Sequence, residues 1–115
     1  MQPRDVAYLR HMLDFAGQVA VFVAGVDKQT WQHNKQLQLA VAHLVQMIGE
    51  AARKVSEPGR EVCPGVPWRE IVGMRNRIVH EYMDVDFDVV WRVAVDDLPA
   101  LSTALTAVFA GDGKS

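Results

Sequence analysis

Apolar residues recur along this chain at alternating steps of three and four. In the first segment they fall at Val6, Leu9, Leu13, Ala16, Ala20 and Val23. A second series runs Leu37, Val41, Leu44, Ile48, Ala51 and Val55, and a third runs Phe87, Trp91, Ala94, Leu98, Leu101, Leu105 and Val108. That spacing returns each side chain to one face of an α-helix, so every series predicts a helix with a single apolar stripe. Three such stripes need one another for cover, and an antiparallel bundle is the simplest way to provide it. No segment alternates convincingly as a strand. The expected fold is all-α, an antiparallel helical bundle of four to five helices.

The breaks agree with this reading. Gly25 and Asp27 end the first helix, and Asp27 or Thr30 can cap the next. The longest loop is SEPGREVCPGVP, Ser56 to Pro67, which holds three of the five prolines. Pro67 suits the first position of a short helix starting near Trp68. Asp86 is a good N-cap, and Asp88 in the first turn behind it favours the positive end of the helix dipole. Pro99 interrupts the last stripe, which implies a kink or a break into a fifth helix. Residues 1–110 are read as one domain and residues 111–115, GDGKS, as a short flexible tail.

Composition narrows the classes. The chain has 115 residues, half of them hydrophobic and 23% charged, which suits one globular core rather than a disordered or membrane protein. A net charge of −2 argues against a generic basic clamp on nucleic acid, so any RNA contact needs a local patch or a second subunit. The single cysteine, Cys63, excludes an internal disulfide and a thiolate metal cage, and a reducing, cytoplasmic location follows as the expectation. The run FAGQVAVFVAG after Arg4 and Arg10 looks superficially like a secretory core. Asp5, Asp14 and Gln18 interrupt that pattern and the run is too short to span a bilayer, so it reads as a buried helix stripe with no membrane role.

One stretch, GMRNRIVHEYMDVD from Gly73 to Asp86, carries more polar equipment than a helical core needs. On one straight helix, Asn76 and His80 share a face, as do Arg75 and Tyr82. Arg75 and His80 diverge by roughly 140° around the axis. Two arrangements would bring them together: the helix ends near His80, or a two-fold dimer supplies the missing group from a second copy. The residue types suit metal-free RNA cleavage. Histidine, with an ordinary pKa of about 6.5, serves as base or acid near neutral pH. Arginine offers a fixed fork of donors to phosphate oxygens, and asparagine can orient the imidazole or bind phosphate. No carboxylate cluster or His/Cys set suggests a metal, and no cofactor is expected.

An Arg-x4-His spacing alone is weak, and a surface pair of Arg75 with Glu81 or Glu70 would be its default reading. The ordered series GEA, PWREI, RN-x3-H-x-Y, W and DLP is far more specific, and it spans most of the chain to Leu101. In it the chain resembles the HepT-like branch of the HEPN superfamily, the toxin half of HepT/MntA toxin–antitoxin pairs. The resemblance implies a HEPN-type bundle that forms a homodimer, with Arg75 and His80 of both subunits lining an interfacial cleft as a metal-independent endoribonuclease and Asn76 beside them. It also implies an MntA-like minimal nucleotidyltransferase antitoxin as partner, attaching AMP to Tyr82. Such a modification would add negative charge and crowd the cleft. The alternative is a non-catalytic HEPN subunit that binds nucleotide or docks a partner.

Other residues have plainer readings. Glu50 in IGEA is expected to partner a buried arginine, with Arg75 a candidate. Arg69 and Arg77 could guide RNA, although a solvated, salt-bridged face is the usual role of such residues. Trp68 and Trp91 read as core or interface anchors, and His11, His33 and His43 lack ligand spacing.

Overall fold

The computed structural model describes residues 1–81 and 84–112. Three long helical rods carry the fold: α1 (Pro3–Val23), α3 (Lys35–Lys54), and a last rod of α7 (Phe87–Arg92), a π-helical turn (Val93–Asp97) and α8 (Leu98–Asp112). Short helices α2 (Lys28–Gln32), α4 (Glu57–Val62), α5 (Trp68–Val72) and α6 (Met74–Ile78) fill the connections.

Caps set most of these boundaries. Gly25 adopts φ +73°, a left-handed conformation that stops α1 at almost no steric cost. Asp27 Oδ1 accepts from Thr30 N–H at 2.7 Å, which makes Asp27 rather than Thr30 the cap of α2. Asn34 Oδ1 accepts from Leu37 N–H at 3.0 Å to start α3. Asp86 Oδ1 accepts from the amides of Asp88 and Val89 and opens α7. Ser56 caps α4 inside the proline-rich stretch, so that stretch is partly helical rather than one long loop. Pro58 fits there because the first turn of a helix needs no N–H from it.

Cross-rod contacts fix the directions. The Asp5 carboxylate, at the start of α1, accepts from Ser56 at the end of α3, so these two rods run antiparallel. Arg10 lies over the Phe109 ring at 4.3 Å, which sets the last rod antiparallel to α1 as well. The core between them takes Leu9, Met12 and Val19 from α1, Val41, Val45, Ile48 and Ala52 from α3, and Val90, Val93, Leu98, Leu101 and Leu105 from the last rod. Each large aliphatic side chain so buried contributes about 1.5–3 kcal/mol. Along α1 the buried positions are Asp5, Leu9, Met12, Ala16 and Val19. Ala20, expected inside, is exposed, so the true stripe is rotated slightly from the one the apolar spacing suggests.

Pro99 is accommodated without breaking the rod. It lacks the N–H for an ordinary helical bond and its ring crowds the carbonyl four residues back. The π-helical turn absorbs this, with Leu98 N–H reaching Val93 O five residues earlier. Phe87–Gly111 is also the one span among the described residues long and apolar enough to cross a membrane, although its stripe from Val90 to Leu105 faces the core. α8 runs on to Asp112, so residues 111 and 112, assigned to the tail, are helical.

The main departure from the sequence reading lies between residues 68 and 85. In place of the single straight helix considered there, two short helices are followed by an antiparallel ribbon of β1 (Val79–Glu81) and β2 (Asp84–Val85) pairing Val79 with Val85 and Glu81 with Asp84. The ribbon is too short to show as alternation in the sequence. The fold class remains all-α.

Candidate active site

The polar cluster sits where the chain leaves α6. Met74 and Ile78, four apart, are fully buried and anchor one side of this short helix. Arg75, Asn76 and Arg77 are therefore turned outward, and all three are exposed. Gly73 separates α5 from α6, taking φ −81°, ψ 2° while its N–H donates to Arg69 O. A β-carbon at Gly73 would stand 3.2 Å from that same carbonyl, so glycine suits the close turn.

α6 then stops at Ile78. Val79 is extended, with φ −114° and ψ 108°, and Asp86 N–H closes on Ile78 O at 2.6 Å. The backbone of His80 lies in β1, beyond the helix. The angular divergence calculated for Arg75 and His80 on a continuous helix therefore does not apply, and of the two remedies open at the sequence level the early helix end is the one observed. The His80 side chain and the whole of Tyr82 lie outside the described residues.

The five arginines between residues 53 and 77 divide by what already holds them. Arg77 Nη1 pairs with Asp97 Oδ2 at 3.1 Å, both side chains about two-fifths exposed, which is the salt-bridged face expected by default. Arg53 Nη2 pairs with Glu50 Oε2 at 2.8 Å. That pair corrects the reading of Glu50: its carboxylate meets Arg53 one turn along α3, half-exposed, and not Arg75. Packing explains this, because the apolar neighbours of Glu50 face the core while residue 50 lies on the outer side of the helix. Arg60 is held by main-chain carbonyls, donating to Val55 O at 3.2 Å and to Ala52 O at 3.3 Å. It thereby satisfies the otherwise open end of α3. Among the described residues the side chains of Arg69 and Arg75 make no hydrogen bond or ion pair, and neither does that of Asn76. A guanidinium and an amide on consecutive residues, exposed and uncommitted, are available to an anion.

Sequence reasoning missed the Asp5 latch. Asp5 is buried and accepts from Ser56 Oγ at 2.6 Å and from Ser56 N–H at 2.9 Å. The Ser56 hydroxyl, and after it the Ser56 amide, holds the Asp5 carboxyl below its ordinary value. Asp27 is lowered likewise by the Thr30 amide and hydroxyl. No local signal could reveal Asp5, since its partner lies 51 residues away. Trp31 and Trp91 behave as anchors: Trp31 is fully buried, its Nε1–H donates to Phe87 O at 3.0 Å, and its ring packs on Trp91 at 5.4 Å. Among the described residues no group of three or more His, Cys, Asp or Glu is placed to hold a metal ion.

Comparison with known proteins supplies the context for this site. The family model described as "Ribonuclease HepT-like" matches residues 12–108. A candidate RNase of Methanocaldococcus jannaschii is 35% identical over 109 residues, covering 94% of this chain and all of the relative. A second from the same organism is 32% identical over 102 residues, with 88% of each protein covered. A protein of Thermococcus cleftensis named "Probable ribonuclease HepT" is 29% identical over 94 residues, covering 82% of this chain and 86% of that one. No solved structure matches the chain. A predominantly helical bundle and a family match across most of its length lead to one conclusion: the chain belongs to the HepT-like ribonuclease family of the HEPN superfamily, a family of endoribonucleases.

Proposed function

We propose that the protein is a metal-independent endoribonuclease toxin acting as a homodimer, with its catalytic groups at Arg75 and His80. The observation that carries this reading is the local geometry: Arg75 and Asn76 are exposed and unpaired among the described residues, on a helix that ends two residues before His80. In the reaction the 2′-oxygen attacks phosphorus and the P–O5′ bond breaks, giving a 2′,3′-cyclic phosphate and a free 5′-hydroxyl. His80 takes the 2′-hydroxyl proton, and the histidine of the second copy delivers one to the leaving oxygen. Arg75 donates to the non-bridging oxygens as charge builds on them, and Asn76 positions the phosphate. Two-fold symmetry brings two sets of these groups to one cleft and doubles a positive charge that the acidic chain otherwise lacks.

The partner in this reading is an MntA-like minimal nucleotidyltransferase antitoxin that adds AMP to Tyr82, and both act in the cytoplasm. An AMP there introduces a phosphate close in sequence to Arg75 and competes for the guanidinium that RNA needs. The test is cleavage of RNA by the purified dimer in EDTA. His80→Ala and Arg75→Ala are each expected to abolish cleavage and growth inhibition while leaving the melting temperature unchanged, and a fully active, folded His80→Ala protein overturns the assignment. Intact mass of the protein co-expressed with the nucleotidyltransferase reads the modification, which Tyr82→Phe is expected to remove.

A further inference from the structure

A groove of about 590 Å³ lies between α4 and α5, on the approach to α6. It is lined by Glu57, Arg60, Glu61, Trp68, Arg69 and Gly73. That volume is within the range of about 300–1,000 Å³ common for small-ligand sites. We infer that this groove is a subsite for one base of the bound RNA, next to the cleaved bond. The location beside the cleaved bond rests on the scissile phosphate being held at Arg75; the base-binding character of the groove does not.

The groove is built around a fixed aromatic ring. Trp68 Nε1–H donates to Arg60 O at 3.2 Å and to Cys63 O at 3.1 Å, which pins the indole. Arg60 covers part of the ring with its guanidinium carbon 5.6 Å from the centroid, and it is itself held by the end of α3. A ring so held can stack a base without losing freedom of its own, and such stacking tolerates any base.

Charge decides between backbone and base as occupant. Two arginines and two glutamates line the groove, so its formal charge is zero. A rail for phosphates would need a positive excess, and the carboxylates would repel the strand. A base presents donors, acceptors and a π-face, and the groove matches all three. Guanine fits best, because its neighbouring N1–H and N2–H groups can both donate to one carboxylate. Arg69, exposed and unpaired among the described residues, is left to hold the phosphate attached to that nucleotide. Continuity completes the argument: Gly73 lines the groove and immediately precedes α6, with Arg75 two residues further on.

The test uses full-length His80→Ala protein, so that RNA binds without being cut. Fluorescein-labelled uridine hexamers with and without one central guanosine are titrated in EDTA and followed by anisotropy. The guanosine hexamer is expected to bind about fivefold tighter or more. Adding Glu57→Gln and Glu61→Gln together is expected to collapse that preference, because an amide also presents N–H donors. Adding Arg69→Ala is expected to weaken both hexamers by about threefold to tenfold, with thermal melting unchanged. A hexamer carrying 2-aminopurine instead of guanosine is expected to lose emission on binding, reading the stack on Trp68 directly. Equal affinity for the two hexamers, or affinities indifferent to the groove variants, overturns the inference and leaves the groove to a protein partner. Cleavage by the native dimer is scored separately. Base preference without cleavage would remove the catalytic reading and keep the subsite; cleavage without base preference would do the reverse.

Discussion

At the scale of single residues, neighbouring arginines of identical chemistry are separated only by their partners. Arg77 is tied to Asp97 in a pair that is about two-fifths exposed on both sides, whereas Arg75 has no such partner among the described residues. An exposed pair of this kind is worth at most about 1 kcal/mol after solvent screening. Arg77→Ala is therefore expected to lower stability slightly and leave kcat within about twofold, while Arg75→Ala lowers kcat by about 10²-fold or more at unchanged stability. Steady-state cleavage combined with thermal melting reads both. A second residue-scale expectation concerns Asp5. Its folded-state pKa lies below the ordinary 3.8, so its contribution to stability is complete above that value and is lost as pH falls through the folded pKa. Asp5→Asn should be less stable than the native protein at neutral pH. The gap between the two should narrow as melts are taken below pH 3.8, and a gap independent of pH would show that the Ser56 latch does not work through the carboxylate charge.

At the scale of elements, the long rods were legible and the short ones were not. The three stripes found α1, α3 and the last rod because a series of six or seven apolar residues averages over local exceptions. Asp86 and Asp27 were readable as caps because capping is a contact within three residues. For residues 68–82 a single straight helix and an early end near His80 both stayed open, because nothing local decides between them: Gly73 is tolerated in helices, and the ribbon involves only five residues. Yet the end of α6 at Ile78 decides where the His80 backbone goes. Arg75, Asn76, His80 and Tyr82 were singled out by motif alone, and the partner of Glu50 was misassigned because adjacency in sequence does not say which side of α3 faces out. The docking of α4 on α1 was equally hidden, and it makes its own prediction. A β-carbon at Gly59 would stand 2.7 Å from Asp5 Oδ2 and 3.0 Å from Val55 Cγ1. Both are held, the carboxylate by two hydrogen bonds and the valine by burial. Gly59→Ala is expected to lose about 1–3 kcal/mol in urea unfolding despite the better helix propensity of alanine. A stabilised Gly59→Ala protein would mean that α4 can lift from α1 without consequence.

At the scale of the whole molecule, the growth inhibition proposed for this protein would be lost in two ways that growth assays confuse, and Trp31 provides the control. Its indole is fully buried, bridges α2 to α7 through the bond to Phe87 O, and packs on Trp91, while Gln38 of α3 donates to the Trp31 carbonyl at 2.9 Å. Three elements therefore meet at one residue, far in sequence from Arg75. Trp31→Ala leaves a large cavity and removes the indole donor to Phe87 O, with an expected loss of about 3–5 kcal/mol. Against a total of about 5–15 kcal/mol for an ordinary domain, that loss is enough to deplete the folded protein in a cell. Trp31→Phe keeps most of the ring packing but not the donor, and should fall between the two. The expected pattern is that Trp31→Ala loses growth inhibition together with its urea midpoint and its soluble yield, whereas Arg75→Ala loses growth inhibition with both intact. Cleavage per folded molecule should then be near native for Trp31→Phe and absent for Arg75→Ala. A Trp31→Phe protein that folds as well as the native one and yet fails to cut RNA would place Trp31 in the chemistry, and the catalytic assignment to α6 and β1 would have to be redrawn.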